Sequence, residues 1–249
     1  MEKIDRIKHE KEHFEKKYSE ENFDFNTEYK LVDKVAYGIN QLGTPYEGLV
    51  LDLCSGTGIT TFHLARFGWR TVAIDISYNA IKISKKLSIL KGVSGKVNHL
   101  VSAAEFLPFK NNSFDFVFCN GGLHHTEIKF SGEEVARVLK PGGTGIFVET
   151  SAFNPLLMFA RKYIAGKFGI PKKRTPDEHP ITNQDLKILS EHFRQVNILK
   201  SFHFLSRAGG YLVKSGGLID RILNSLDKVI LSLPFMKRMG YWIVIKVVK

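Results

Sequence analysis

Leu49-Val-Leu-Asp-Leu-Cys-Ser-Gly-Thr-Gly58 runs from a short apolar stretch through an acid and a turn of small residues into a helical pattern over 59–67. A strand that feeds a glycine turn and then a helix sets backbone N–H groups and a helix N-terminus beside a ligand. Gly56 and Gly58 allow close backbone approach and positive φ. A dinucleotide loop would read G-x-G-x-x-G, and its third glycine is replaced here by Thr61. No Gly-Lys-Ser/Thr follows, which excludes a phosphate-binding P-loop. Asp52 ends the apolar run, badly placed beside a pyrophosphate and well placed beside a cation. S-adenosyl-L-methionine carries a sulfonium and an ammonium and no phosphate, and it meets that requirement. The competing interpretation is a tight strand–helix turn that binds nothing.

Thr71-Val-Ala-Ile-Asp75 is a second apolar run ending in an acid. It lies roughly 20 residues beyond the loop, where a carboxylate can accept both hydroxyls of a ribose. An Asp at a strand end can also be a plain helix N-cap. Ser77 is available for capping, and the two loops together favour the ribose role for Asp75.

These segments and three later ones resemble the class I S-adenosylmethionine-dependent methyltransferases, in the branch acting on small molecules and quinones. Leu51-Asp-Leu-Cys-Ser-Gly-Thr-Gly58 resembles the first motif of that family, with Cys54 where glycine is usual. Val72-Ala-Ile-Asp75 is similar to its ribose-binding motif, and Ser102-Ala-Ala-Glu-Phe-Leu-Pro-Phe109 to the segment that borders the adenine. Ser113-Phe-Asp-Phe-Val-Phe-Cys-Asn120 resembles the fourth-strand motif, and Arg137-Val-Leu-Lys-Pro-Gly-Gly143 the turn before the fifth strand. The resemblance implies a cofactor site made of Asp52, Cys54, Ser55, Gly56, Gly58, Asp75, Ile76, Ala104, Glu105, Asn120 and Gly121. Two departures bear on it. Ala103 stands where many relatives place an Asp on the adenine amino group, which leaves that task to backbone near Ala104 and to Glu105. Cys54 lacks the freedom of glycine at positive φ.

Strand patterns at 49–53, 71–76, 97–101, 114–120, 145–150, 196–204 and 241–248 alternate with helical ones at 59–67, 79–90 and 131–139. This order predicts an α/β fold, Rossmann-like and doubly wound, with a mostly parallel seven-stranded sheet and the ligand beyond the carboxyl ends of the strands. A charged helix over 2–21 and a second over 29–41 precede the first strand. One domain spans 1–249: N-terminal helices to 45, a cofactor core over 46–150, lid and C-terminal elements over 151–240 and a last strand over 241–249. The 249 residues, 43% of them hydrophobic, suffice for one substantial core.

After the fifth strand, 156–165 reads as an apolar helix with two cations, followed by a stretch to 180 rich in Lys, Gly and Pro. In the family this insertion lies over the substrate mouth. Thr182 with Asp185 signals a helix start for the segment through Phe193. Leu218, Ile219, Ile222, Leu223, Leu226, Val229, Ile230 and Leu233 recur at helical spacing. That stripe fits a helix packed on the sheet, or a lid facing a greasy substrate or the membrane interface. Arg161, Lys162, Lys167, Lys172, Lys173, Arg174, Lys237 and Arg238 surround it and favour an anionic or membrane-bound acceptor. The expected acceptor is therefore a small apolar or lipid-linked molecule methylated on oxygen or carbon, with an anionic membrane surface as a further partner.

A net charge of +11 and a pI near 9.5 also suit RNA. However, Asn120-Gly-Gly-Leu-His-His125 replaces the Asn/Asp-Pro-Pro-aromatic run of amino-methylating nucleic-acid enzymes. An RNA methyltransferase remains the alternative, beside a catalytically silent S-adenosylmethionine-binding protein. His124 and His125 follow the fourth strand, and either can take a proton from an acceptor near neutral pH. Asp177, Glu178 and His179 read as a solvated loop, and no spaced ligand set marks a metal site. Only Cys54 and Cys119 occur, and no disulfide framework, secretory signal or spanning segment is visible. The expected location is cytoplasmic, peripheral at most to the inner membrane face.

Overall fold

A computed structural model describes residues 2–44, 48–163, 178–209 and 217–249. Its elements are α1 (Glu2–Lys17), α2 (Asp33–Asn40), β1 (Leu49–Leu53), α3 (Ile59–Arg66), β2 (Arg70–Asp75), α4 (Tyr78–Leu90), β3 (Val97–Val101), β4 (Phe114–Asn120), α5 (Ile128–Val138) and β5 (Leu139–Thr150). They continue with α6 (Pro155–Tyr163), α7 (Asn183–His192), β6 (Gln195–Phe202), α8 (Leu205–Gly209), α9 (Leu218–Ile230) and β7 (Trp242–Val248). The seven strands form one sheet in the order β3-β2-β1-β4-β5-β7-β6. The first five are parallel, and β7 runs antiparallel between β5 and β6. The chain reverses its direction of travel across the sheet between β1 and β4, which is where ligands bind in open α/β sheets.

Side-chain alternation along the strands divides the core into two layers. Leu51, Leu53, Val117, Cys119 and Phe147 face α5 and α7. Val50, Phe118, Ile146 and Val148 face the other way, against Val35 and Ile39 of α2 and Trp69. Each such fully buried side chain contributes about 1.5–3 kcal/mol, which holds the sheet rigid beneath the strand ends. Leu53 pairs with both Ile74 and Cys119, so the ends of β1, β2 and β4 are level. Asp52, Asp75 and Asn120 are thereby brought to one edge.

One boundary differs from the sequence reading by more than four residues. The fifth strand begins at Leu139 rather than 145, because Leu139 pairs with Phe114 ahead of an irregularity in β4 pairing. The start of α7 is the capping box expected from Thr182 and Asp185. The stripe on α9 is not core: Leu218 is 75% exposed, and Ile219, Ile222, Leu226 and Val229 are exposed with it. The helix is instead attached through its polar face. The buried Asp227 carboxylate accepts from the backbone N–H groups of Phe204, Leu205 and Ser206 at 3.0, 2.6 and 3.1 Å. Lys167, Lys172, Lys173, Arg174 and Asp177 lie outside the described residues.

Candidate cofactor and acceptor site

The turn between β1 and α3 holds three residues at positive φ: Cys54 at 54°, Gly56 at 54° and Gly58 at 82°. Cys54 occupies the left-handed region without the freedom of glycine, a conformation costing about 1–2 kcal/mol. Gly58 has a packing reason, since a Cβ there would lie 2.1 Å from Ser84 Oγ of α4. At Gly122 an added Cβ would lie 2.3 Å from Cys54 Cβ, so the turns after β1 and β4 interlock. Ser77 caps α4, accepting from Ala80 N at 3.1 Å. Asp75 therefore does not cap that helix. Its carboxylate braces the loops instead, accepting from Gly56 N at 2.8 Å and Ser77 N at 3.0 Å.

A cavity opens at this edge. Asp52, Cys54, Ser55, Gly56, Asp75, Ile76, Ala104, Glu105, Asn120, Gly121 and His125 line it. Gly58 and His124 do not, although His124 is buried directly behind. Burial, offset in part by the hydroxyl of Thr61 and reinforced by the charge of Asp75, pushes the Asp52 carboxyl up to about 7. Burial also raises Asp75, against the pull of its two backbone donors. Buried acids held above their usual range favour a cationic ligand, which restores the charged form. The hydroxyl oxygen of Ser55 is buried without a hydrogen-bond partner among the described residues, a vacancy a ligand can fill.

The N-terminal helix supplies what sequence reasoning missed. Ile7, Glu10, Phe14 and Tyr18 line the same cavity from α1 and the residue after it. Their spacing of three, four and four places them on one helical face, which is a signal the sequence does contain. Glu15 fastens this lid to the N-terminus of α4. Its carboxylate accepts from Ser77 Oγ at 3.0 Å, Tyr78 N at 2.7 Å and Asn79 N at 3.0 Å. Burial pushes the Glu15 carboxyl up, but these donors outweigh it and hold the group below its usual value.

Beyond Asn120 and Gly121, the turn at 123–125 presents both histidines. Glu149 of β5 is fully buried and accepts from Gly122 N at 3.2 Å and Leu123 N at 2.9 Å. Its other oxygen lies 2.5 Å from His124 Nδ1. Glu10 approaches His125 Nδ1 at 3.3 Å, and the Phe14 ring meets the His125 ring edge-on. Glu178 faces both imidazoles and is paired with Arg161, which also donates to the Tyr241 hydroxyl.

The methyltransferase-domain family matches residues 51–147. The chain is 37% identical over 127 residues to the ubiquinone/menaquinone biosynthesis C-methyltransferase UbiE of Erwinia tasmaniensis, covering 49% of each chain. It is 36% identical over 106 residues to the demethylmenaquinone methyltransferase of Lactococcus lactis, covering 41% of this chain and 42% of that protein. The chain thus spans about half the length of these curated relatives. Among solved structures, the YcgJ protein of Bacillus subtilis superimposes with a TM-score of 0.62 at 19% identity, over 87% of this chain and 97% of that one. Geranyl diphosphate C-methyltransferase of Streptomyces coelicolor gives a TM-score of 0.53 at 14% identity, over 86% and 77%. At those identities the likeness is one of fold, and it agrees with the strand order. Residues 51–147 thus match a methyltransferase domain and lie within a seven-stranded α/β sheet whose fold is like that of these solved structures.

Proposed function

We propose that the chain methylates a ring carbon of a small, apolar, quinone-like acceptor, using S-adenosyl-L-methionine. The observation that carries this reading is the pair of buried acids, Asp52 and Asp75, on one cavity with no phosphate-binding signature. They would repel a dinucleotide and attract a sulfonium. Asp75 would accept from the ribose hydroxyls, Ser55 and the backbone of the glycine turn would face the amino-acid end, and Ala104 with Glu105 would border the adenine. When bound, the cofactor supplies a methyl group already activated on a positively charged sulfur. The tasks left to the protein are positioning and exclusion of water. Phe14 and Tyr18 on the α1 lid exclude water, while Asn120 and Gly121 mark the passage to the acceptor end. His124, held at Nδ1 by Glu149, and His125, with Glu10 beside its Nδ1, would stabilise the ionised acceptor there. The names of the UbiE-type relatives favour a quinone ring and carbon over oxygen.

The exposed faces of α6 and α9 suit a lipid-linked acceptor. Leu156, Phe159, Leu218, Val229 and Phe235 are exposed, beside Lys162, Lys228 and Lys237. An apolar face rimmed by cations suits the surface of an anionic bilayer, and a cytoplasmic protein docked there would meet its acceptor directly. No described helix is long and apolar enough to cross a membrane. The test is transfer of an isotope-labelled methyl group into lipid, RNA and small-molecule fractions of a cell extract. Label in the organic-soluble fraction, on a demethylated quinone, supports the reading. Label confined to RNA, or binding without transfer, refutes it.

A further inference from the structure

The acceptor end contains an arrangement that proton transfer by a single histidine does not require. His124 Nδ1 lies 2.5 Å from Glu149 and His125 Nδ1 lies 3.3 Å from Glu10. With both Nδ1 positions turned to carboxylates, each imidazole directs Nε2 and its lone pair the other way. Both Nε2 atoms then face one residue. His124 Nε2 is 3.8 Å from Glu178 Oε1 and His125 Nε2 is 4.0 Å from Glu178 Oε2. The three donor groups all lie within 4.8 Å of one another.

Two imidazole nitrogens and a carboxylate gathered this closely can hold a cation between them. Histidines that bind metals commonly turn their second ring nitrogen to a carboxylate, as His124 does in its hydrogen bond to Glu149 and His125 does in lying beside Glu10, and ligating carboxylates are themselves hydrogen-bonded. Arg161 fulfils the latter role on Glu178, steadied by the Tyr241 hydroxyl. A tetrahedral ion about 2.1 Å from each donor sets the donors about 3.4 Å apart. The two histidine–glutamate approaches, 3.8 and 4.0 Å, must therefore close by about half an ångström, and the remaining donor separation, at most 4.8 Å, by up to about 1.4 Å. A set of two imidazoles and one carboxylate selects a divalent first-row transition ion over the all-oxygen sites of magnesium or calcium.

We propose that His124, His125 and Glu178 bind one divalent transition-metal ion, with Glu149 and Glu10 as the carboxylates that orient the histidines. The ion's remaining positions face the cavity beside His125, where an acceptor bearing an enolic or phenolic oxygen would coordinate. The consequence for catalysis rests on the function proposed above: the histidines would then stabilise the ionised acceptor through the ion rather than by taking its proton. Binding of the ion itself does not depend on that function.

The probe is Co2+, added to chelator-treated protein and followed by visible d–d absorption, with calorimetric S-adenosylmethionine binding as the control for folding. Wild type is expected to bind one equivalent. Glu178→Gln and His125→Ala should weaken Co2+ binding at least about a hundredfold, and Glu10→Gln about tenfold, within the range known for groups that orient a ligand. S-adenosylmethionine affinity should hold in Glu178→Gln, which marks the loss as local. Absence of stoichiometric binding in wild type, or binding unchanged in Glu178→Gln, overturns the assignment. Methyl transfer that is equally fast in chelated and Co2+-loaded protein overturns the catalytic role. Stoichiometric Co2+ binding in a protein that ignores S-adenosylmethionine would support the metal site and refute the proposed function instead.

Discussion

Replacing Asp52 by Asn should stabilise the ligand-free protein while weakening its hold on S-adenosylmethionine. Asp52 is 1% exposed, and its carboxylate accepts from Thr61 Oγ1 at 2.5 Å. Burial raises its carboxyl from 3.8 to about 7. In the unfolded chain the group loses its proton near the ordinary value, so between these two pH values the native state holds a proton that the unfolded state has released. Stability is therefore greatest below the unfolded value and falls as pH rises through about 7. The whole difference amounts to up to about 4 kcal/mol, at 1.36 kcal/mol per unit. Asn retains an acceptor oxygen for Thr61 and carries no charge. The variant should gain up to about 4 kcal/mol at pH 8 and almost nothing near pH 4.

Ligand binding should show the opposite sign. A cation favours ionised Asp52, so wild-type affinity should rise with pH up to about 7, by as much as tenfold per unit. Asp75, also raised by burial, adds its own share. The Asn variant should bind more weakly at pH 8 and with a shallower pH slope. Urea unfolding followed by the fluorescence of buried Trp69 measures the first effect, and calorimetric titration the second. A variant less stable than wild type at pH 8, or one that keeps the full wild-type slope of affinity, would refute the argument.

Asp75→Ala should lower S-adenosylmethionine affinity roughly a hundredfold, because two hydroxyls lose a charged acceptor; undiminished affinity in a titration would remove Asp75 from the site. Glu15→Ala should unfasten α1 from α4, increase proteolytic cleavage within 2–17 and weaken cofactor binding about tenfold. Unchanged protection from protease would show that Glu15 does not hold the lid. Phe159→Ser combined with Phe235→Ser should reduce partitioning onto anionic vesicles by at least about tenfold at constant cofactor affinity, and sedimentation with vesicles decides it.

What could be read from the sequence divides along a physical line. The cofactor half was legible because each of its parts is local: a strand, its terminal residue and the turn that follows are contiguous, and parallel pairing then levels their ends. The lid was legible only in part. Ile7, Glu10, Phe14 and Tyr18 share a helical face, yet nothing near them in the chain states which sheet edge that face covers. The acceptor end shows the limit most clearly. His124 and His125 are adjacent and visible, but Glu10, Glu149 and Glu178, which surround them, come from three distant segments, and polar pairs leave no periodicity to follow.

The stripe on α9 is legible in its period but not in its direction: the spacing leaves open both a helix packed on the sheet and a lid facing outward. Buried area alone favours the first. Asp227 satisfies three backbone donors at the start of α8 and a serine hydroxyl at 2.6 Å, and stripping a buried carboxylate from such partners costs about 3–5 kcal/mol. Turning α9 over to bury its leucines would break that cluster. The polar anchor thus opposes turning the helix over, and an exposed apolar face of this kind marks an interaction surface. Asp227→Ala should accordingly free the helix to rotate, so that vesicle binding and the exposure of Leu218 and Val229 fall together. Loss of vesicle binding with both side chains still as exposed as in wild type would separate the anchor from the proposed membrane contact and defeat this account.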